Sequence, residues 1–192
     1  MAKVDIYNTD KKYKVIYADP AWQFNSKKTG GSMKSGASQQ YDVMSIEDLK
    51  KMPINDIADD NCLLAMWWVG AMPQEAIDLI EAWGFRLVNM NGIVWNKLTQ
   101  TNKPFFGLGY YTRAGSESIA LAVKGKFKPV NRGVRAVFHA ESQIQFEAKA
   151  MAHSVKPTQV RDLLIDLAGD VPAIEVFART ECGGWDCFGN EV

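Results

Sequence analysis

Apolar residues fall along this 192-residue chain in two alternating kinds of run, short near-continuous ones and longer ones with helical spacing. The first kind predicts strands at Lys14 to Ala18, Cys62 to Val69, Phe85 to Val88, Gly92 to Trp95, Ser118 to Val123, Ala173 to Ala178 and Trp185 to Phe188. Several are apolar throughout, as expected of strands covered on both faces. Three helices are predicted between them. Ser45 ahead of Ile46-Glu47-Asp48 reads as a capped start ending near Pro53. A second runs from Pro73 to Gly84 with Ala76, Ile80 and Trp83 on one face. The third opens at Pro157, carries the stripe Val160, Leu163, Leu164 and Leu167, and closes at Gly169. Strands alternating with helices predict an α/β fold.

Three stretches follow neither pattern, about 23–41, 99–115 and 126–152, and read as flexible loops. The first holds Lys27, Lys28 and Lys34 without an acid. The second mixes Lys103 and Arg113 with Phe105, Phe106, Tyr110 and Tyr111, and the third opens on Lys126, Lys128, Arg132 and Arg135. Cations interleaved with aromatic faces suit a nucleic-acid cleft, with Lys27, Lys28, Arg113 and Arg132 as backbone contacts. The net charge of zero, from 22 basic and 22 acidic residues, argues against a protein that coats DNA nonspecifically.

With 47% hydrophobic residues the chain can bury one substantial core, so a single domain over 1–192 is expected. The longest apolar stretch, Cys62 to Met72, is too short for a bilayer, and Met1 to Lys12 lacks the apolar core of a secretion signal. A soluble cytoplasmic protein with no membrane partner is expected, in the host cytoplasm if phage-encoded. Cys62, Cys182 and Cys187 form an odd set with neither histidine nearby, which reads as reduced thiols and no metal site.

The candidate chemistry begins at Asp19-Pro20-Ala21-Trp22, directly after the first apolar run. An adenine or cytosine amino nitrogen is a poor nucleophile because its lone pair is delocalised into the ring. Two acceptors change this. The Asp19 carboxylate can take one N–H and the Pro20 carbonyl the other, leaving the lone pair aimed at an electrophilic carbon. Pro20 fixes φ and so presets its carbonyl. Trp22 is expected to stack on the base, a contact of about 1 to 3 kcal/mol.

A second polar group gathers near the other end, at His153-Ser154-Val155-Lys156-Pro157, at Glu175 and Arg179, and at Asn190-Glu191. These sit at element ends, where ligands bind in α/β sheets. Lys156 beside a helix start can hold a carboxylate, and Asn190 with Glu191 can bond ribose hydroxyls. By spacing alone, Lys156 reads more often as a solvated cation, Glu175 with Arg179 as a surface ion pair and Asn190-Glu191 as a frayed terminus. No glycine-rich phosphate motif occurs, which disfavours kinases and dehydrogenases. S-adenosylmethionine has a carboxylate, a ribose and no phosphate, and it carries the electrophilic methyl that the first cluster needs.

The order Asp19-Pro20-Ala21-Trp22, Tyr41-x-x-Met44, Leu63-x-x-Met66-Trp67-Trp68, His153-Ser154-x-Lys156-Pro157, Glu175-x-Phe177-x-Arg179, Gly189-Asn190-Glu191 closely resembles the METTL-type adenine-amino methyltransferases. That family includes messenger-RNA enzymes and bacterial or phage DNA methyltransferases. The resemblance implies a Rossmann-like, circularly permuted S-adenosylmethionine-dependent fold, in which the acidic motif comes early and the cofactor segment last. It implies that Asp19, Pro20, Ala21 and Trp22 hold the base and meet the donor methyl. By the same comparison Asp19, His153, Ser154, Lys156, Glu175, Phe177, Arg179, Asn190 and Glu191 line the cofactor pocket, and Tyr41 and Trp67 shape the base pocket. The expected activity is site-specific adenine methylation of DNA, with RNA adenine, the cytosine amino group, a silent nucleic-acid-binding homologue and a plain binding module as alternatives. DNA is preferred because no separate RNA-binding module is evident. Monomer, homodimer and a complex with a partner subunit all stay open. Two departures stand out. Ala21 replaces the family's usual second proline, and Thr180 to Gly184 is too short for a helical crossover, which takes roughly a dozen residues.

Overall fold

Successive side chains of a strand point to opposite faces, and along the first two strands both sets are buried. In the computed structural model, which describes residues 2–22, 44–107, 109, 111–142, 156–180, 183–190 and 192, Ile16 and Ala18 enter one apolar cluster and Val15 and Tyr17 another. A sheet with two dry faces needs cover on both. Strand β1 (Tyr13–Ala18) is followed by α1 (Ile46–Lys50), α2 (Ile54–Ile57), β2 (Ala58–Trp68) and α3 (Pro73–Ala82). Leu49, Ile54, Ile57, Leu79, Ile80 and Trp83 of this region cover the Ile16 face. The other face is covered by α4 (Gln159–Ala168) through Val160, Leu164 and Ala168.

The remaining strands are β3 (Arg86–Leu98), β4 (Ser116–Lys124), β5 (Val137–Glu141), β6 (Ala173–Val176) and β7 (Asp186–Phe188). All seven form one sheet in the order β5-β3-β4-β2-β1-β6-β7. Only β4 runs antiparallel to its neighbours β2 and β3. The chain first builds outward from β1 on the β2 side, then returns to place β6 on the other side. This mixed α/β arrangement is Rossmann-like, with the strand order reversing beside β1.

The predicted elements are found with four differences. The two expected strands between Phe85 and Trp95 are one strand, β3, whose polar middle at Asn89 and Asn91 coincides with shifts of register. The reading of 126–152 as loop misses β5, a short edge strand whose residues are mostly exposed and so carry no apolar signal. The helices predicted from the sequence omit α2, a four-residue turn directly after Pro53. The short segment after Arg179 does join two parallel neighbours, β6 and β7. A three-residue strand demands a return of only about 10 Å, and Trp185, just before β7, is buried edge-on to Tyr17 at 6.3 Å. No helix among the described residues is long and apolar enough to cross a membrane.

Candidate functional site

Between β1 and β6 the strand order reverses, and the crevice beyond the carboxyl ends of such strands is where open α/β sheets bind ligands. Asp19 is the first residue past β1 and Phe177 the first past β6, with Ala18 paired to Val176. Gly189 follows β7 in the same row, since Val176 pairs with Phe188. Lys156 arrives just ahead of α4. Because β4 runs the opposite way, its amino end brings Glu117 to this edge too.

These groups form a chain of alternating charge. Lys156 Nζ lies 3.5 Å from Asp19 Oδ2 and 2.8 Å from Glu117 Oε2. Lys97 pairs with Glu117 Oε1. The Trp67 ring lies under Lys156 with its centroid 4.9 Å from Nζ, and its indole N–H donates to the Tyr17 hydroxyl at 2.7 Å. Burial pushes the Asp19 carboxyl above the usual range, Lys156 opposes this, and Glu117 adds to it. Burial acts on Glu117 as well, but Lys156 and Lys97 outweigh it and hold that carboxyl down at about 2. The Lys156 ammonium is disfavoured by burial yet raised overall by Asp19 and Glu117. Glu117 is thus a fixed anion that anchors Lys156, while Asp19 keeps the greater affinity for a proton.

The turn after β1 is set by its own hydrogen bonds. The Pro20 carbonyl accepts the Trp22 N–H at 2.8 Å, which fixes its direction and leaves a second lone pair. The Ala21 carbonyl accepts the Met44 N–H at 3.2 Å, so the turn is tied down at the position where the family's proline is absent.

Several expected roles change with this geometry. Trp22 is only 7% exposed and donates its indole N–H to the Trp67 carbonyl at 3.2 Å, so it walls the site from the core and offers no open stacking face. Trp67, at 2% exposed, forms the floor beneath Lys156 and does not line an open base pocket. Lys156, expected beside a ligand carboxylate, faces two carboxylates of this chain, those of Asp19 and Glu117. Glu175 pairs with Arg161 of α4 through Nε at 2.7 Å and Nη2 at 2.6 Å, a partner that sequence spacing did not suggest. Arg179 is exposed, and its charge lowers the Asp19 pKa. Arg132 is displaced most. It lies in the loop leaving the carboxyl end of β4, where Val130 donates to the Leu167 carbonyl at 2.9 Å, at the opposite edge of the sheet. The length of β4 separates that edge from Asp19 by about 25 to 30 Å, because one antiparallel strand reverses the exit. Arg113 lies on the β3–β4 connection, at the Asp19 edge. Lys27, Lys28, Tyr41, His153, Ser154 and Glu191 lie outside the described residues.

Sequence reasoning missed Lys97, Glu117 and Arg161. Each left a faint mark: Lys97 and Glu117 are charges flanking the apolar runs 92–95 and 118–123, and Arg161 interrupts the first turn of an amphipathic helix.

The edge beside Asp19 also has a built backbone. Phe177 holds a left-handed φ of 67°, costly for a residue with a side chain. The Ala178 N–H donates to the Phe188 carbonyl at 3.0 Å, and a Cβ on Gly189 would stand 2.0 Å from the Ala178 oxygen. Gly189→Ala must therefore separate the β6 and β7 ends, at an expected cost of about 1 to 3 kcal/mol. The melting temperature should drop, together with affinity for whatever the crevice binds. An unchanged melting curve would show that the contact yields freely.

A family model described as MT-A70 matches residues 13–191, which takes in every described residue of this site. The chain belongs to the MT-A70 family. This is a family of N6-adenine methyltransferases. Relatives include the Type II methyltransferase M.MunI of Mycoplasma sp, 31% identical, the match covering 95% of this chain and 78% of that one. Human N(6)-adenine-specific methyltransferase METTL4 is 25% identical over 97% of this chain and 39% of its own length. The N(6)-adenosine-methyltransferase MT-A70-like protein of Drosophila melanogaster is 23% identical over 94% of this chain and 27% of its own. This MT-A70 chain thus spans most of the Mycoplasma relative and well under half of the two animal proteins.

Proposed function

We propose that this MT-A70 protein is an enzyme that transfers the methyl group of S-adenosylmethionine to the N6 amino group of adenine in DNA. The supporting observation is the 3.5 Å approach of Lys156 to Asp19, which joins the early acidic turn to the late cofactor-type segments in one crevice. The donor set there suits the cofactor. Arg179 is a cation for its carboxylate, Asn190 an amide for its hydroxyls, and Phe177 a half-buried aromatic face for its adenine. S-adenosylmethionine, when bound, supplies an electrophilic methyl carbon.

The chain's own groups do the rest. The Asp19 carboxylate accepts one N–H of the target amine, and the remaining lone pair of the Pro20 carbonyl accepts the other. This favours a pyramidal nitrogen whose lone pair points at the methyl carbon. As the N–C bond forms, the methyl–sulfonium bond breaks with its electron pair left on sulfur; the nitrogen becomes cationic, and its proton passes to Asp19, whose raised proton affinity fits that task. Lys156, clamped by Glu117, holds Asp19 in place.

DNA is favoured over RNA because the Mycoplasma relative, a Type II methyltransferase, matches over most of both chains. The RNA reading is favoured by the name of the Drosophila relative. Incubation with methyl-labelled S-adenosylmethionine and separate DNA and RNA pools, followed by digestion to nucleosides, tests the assignment. Label in N6-methyladenine from DNA is expected. Label confined to RNA, or to cytosine, replaces the polymer or the base, and cofactor binding without any label identifies a silent homologue.

A further inference from the structure

The described residues of the β3–β4 connection, 99–107, 109 and 111–115, form a built arm whose most exposed side chains serve no purpose in the fold. The Lys97 N–H donates across the arm to the Gly115 carbonyl at 2.8 Å, and the Phe105 N–H donates to the Lys97 carbonyl at 3.0 Å. Further out, Gly107 donates to the Ala114 carbonyl at 2.8 Å, and a Cβ at Gly107 would lie 2.2 Å from that oxygen. The arm's two sides are thus laced together and close-packed. Yet Phe106 is 74% exposed and Tyr111 fully so, while Arg113 lies 4.7 Å from the Phe106 ring. Lys103 is exposed as well. An ordered arm that spends two aromatic rings on solvent is shaped for a partner with flat faces and negative charge.

Its position names the partner's task. β3 runs parallel to β2 and β1, because both β2 and β3 are antiparallel to β4, so the arm leaves the sheet at the Asp19 edge. Its root is the charge chain itself. Lys97 pairs with Glu117, which holds Lys156 against Asp19, and Lys97 Nζ lies 5.9 Å from the Phe105 ring. An adenine amino group inside a duplex cannot reach Asp19 unless its nucleotide swings out, which leaves a gap in the stack.

We propose that Tyr111 is the wedge that enters this gap in duplex DNA, with Arg113 and Lys103 holding the flanking phosphates. The proposal rests on the methyl-transfer reading above and adds to it that the arm makes duplex substrate usable. A wedge offsets unstacking and has nothing to offset on a single strand.

The test measures kcat/KM for methyl incorporation into one mixed-sequence DNA pool, supplied single-stranded and annealed, by the parent protein, Tyr111→Ala and Tyr111→Phe. The alanine variant should lose about tenfold or more on duplex while holding near parent activity on the single strand, and phenylalanine should restore duplex activity. Equal duplex activity of Tyr111→Ala and parent overturns the proposal. Equal loss on both forms also overturns it, leaving the arm as a plain strand contact. A parent that methylates only single strands overturns it while the methyl-transfer reading stands. A parent that methylates neither pool removes that reading first, and the wedge with it.

Discussion

Asp19→Asn is expected to lower methyl transfer by about 10²- to 10³-fold, the scale for losing one preorganised charge-stabilising group. Asparagine keeps the size and one acceptor, but it loses the charge that accompanies the developing cationic nitrogen. Lys156 retains Glu117 as partner, so the cluster and the turn should stand. The sign of the stability effect is opposite. A carboxyl whose folded pKa is raised contributes stability that is present below its unfolded value of 3.8 and lost as pH rises through the folded one. Near neutral pH the ionised Asp19 is therefore a cost, and the neutral variant should melt no lower than the parent. Methyl incorporation, calorimetry with S-adenosylmethionine and a melting curve read the three effects separately. Near-parent turnover would remove Asp19 from the chemistry. A large fall in melting temperature would make it a structural residue.

Lys156→Met should be the most damaging single change to both activity and fold. It leaves Asp19 beside Glu117 with no cation between them, and breaking a buried pair in this way costs about 3 to 5 kcal/mol. Lys97 still pairs with Glu117, which keeps the loss toward the lower figure. Asp19 loses its main pKa-lowering neighbour and keeps the repulsion, so the acid limb of kcat/KM should move to higher pH. Glu117→Gln should move the same limb the other way, because the like charge goes and Lys156 turns wholly to Asp19. That variant has its own acid-side signature. Glu117, held at about 2 against an ordinary 4.5, contributes stability that is present above 4.5 and lost as pH falls toward 2. Removing it should flatten the parent's fall in melting temperature across that window. Limbs displaced in the same direction by the two variants would refute the alternating-charge arrangement.

What could be read from the chain follows from local physics. β1, β2, β4 and β6 announced themselves as apolar runs because both faces of the sheet are covered, and α3 and α4 by stripes at helical spacing. β5 and α2 did not, one being an exposed edge and the other a single turn. The acidic turn was legible because its four residues are contiguous and end a strand.

The partners of that turn were not legible. Glu117 and Lys97 lie far from Asp19 in sequence and meet it only because β4 crosses between two parallel neighbours. The same reversal sends Arg132 to the far edge while keeping Arg113 at the near one. Whether Trp22 faces a base or the core is likewise a matter of packing, decided by its bond to the Trp67 carbonyl. The α/β class and the chemical types gathered at strand ends were already written in the order of residues, since periodicity and turn chemistry are local. Strand direction and neighbour order are global, and only the folded sheet decided which charges share a crevice and which lie a strand's length apart.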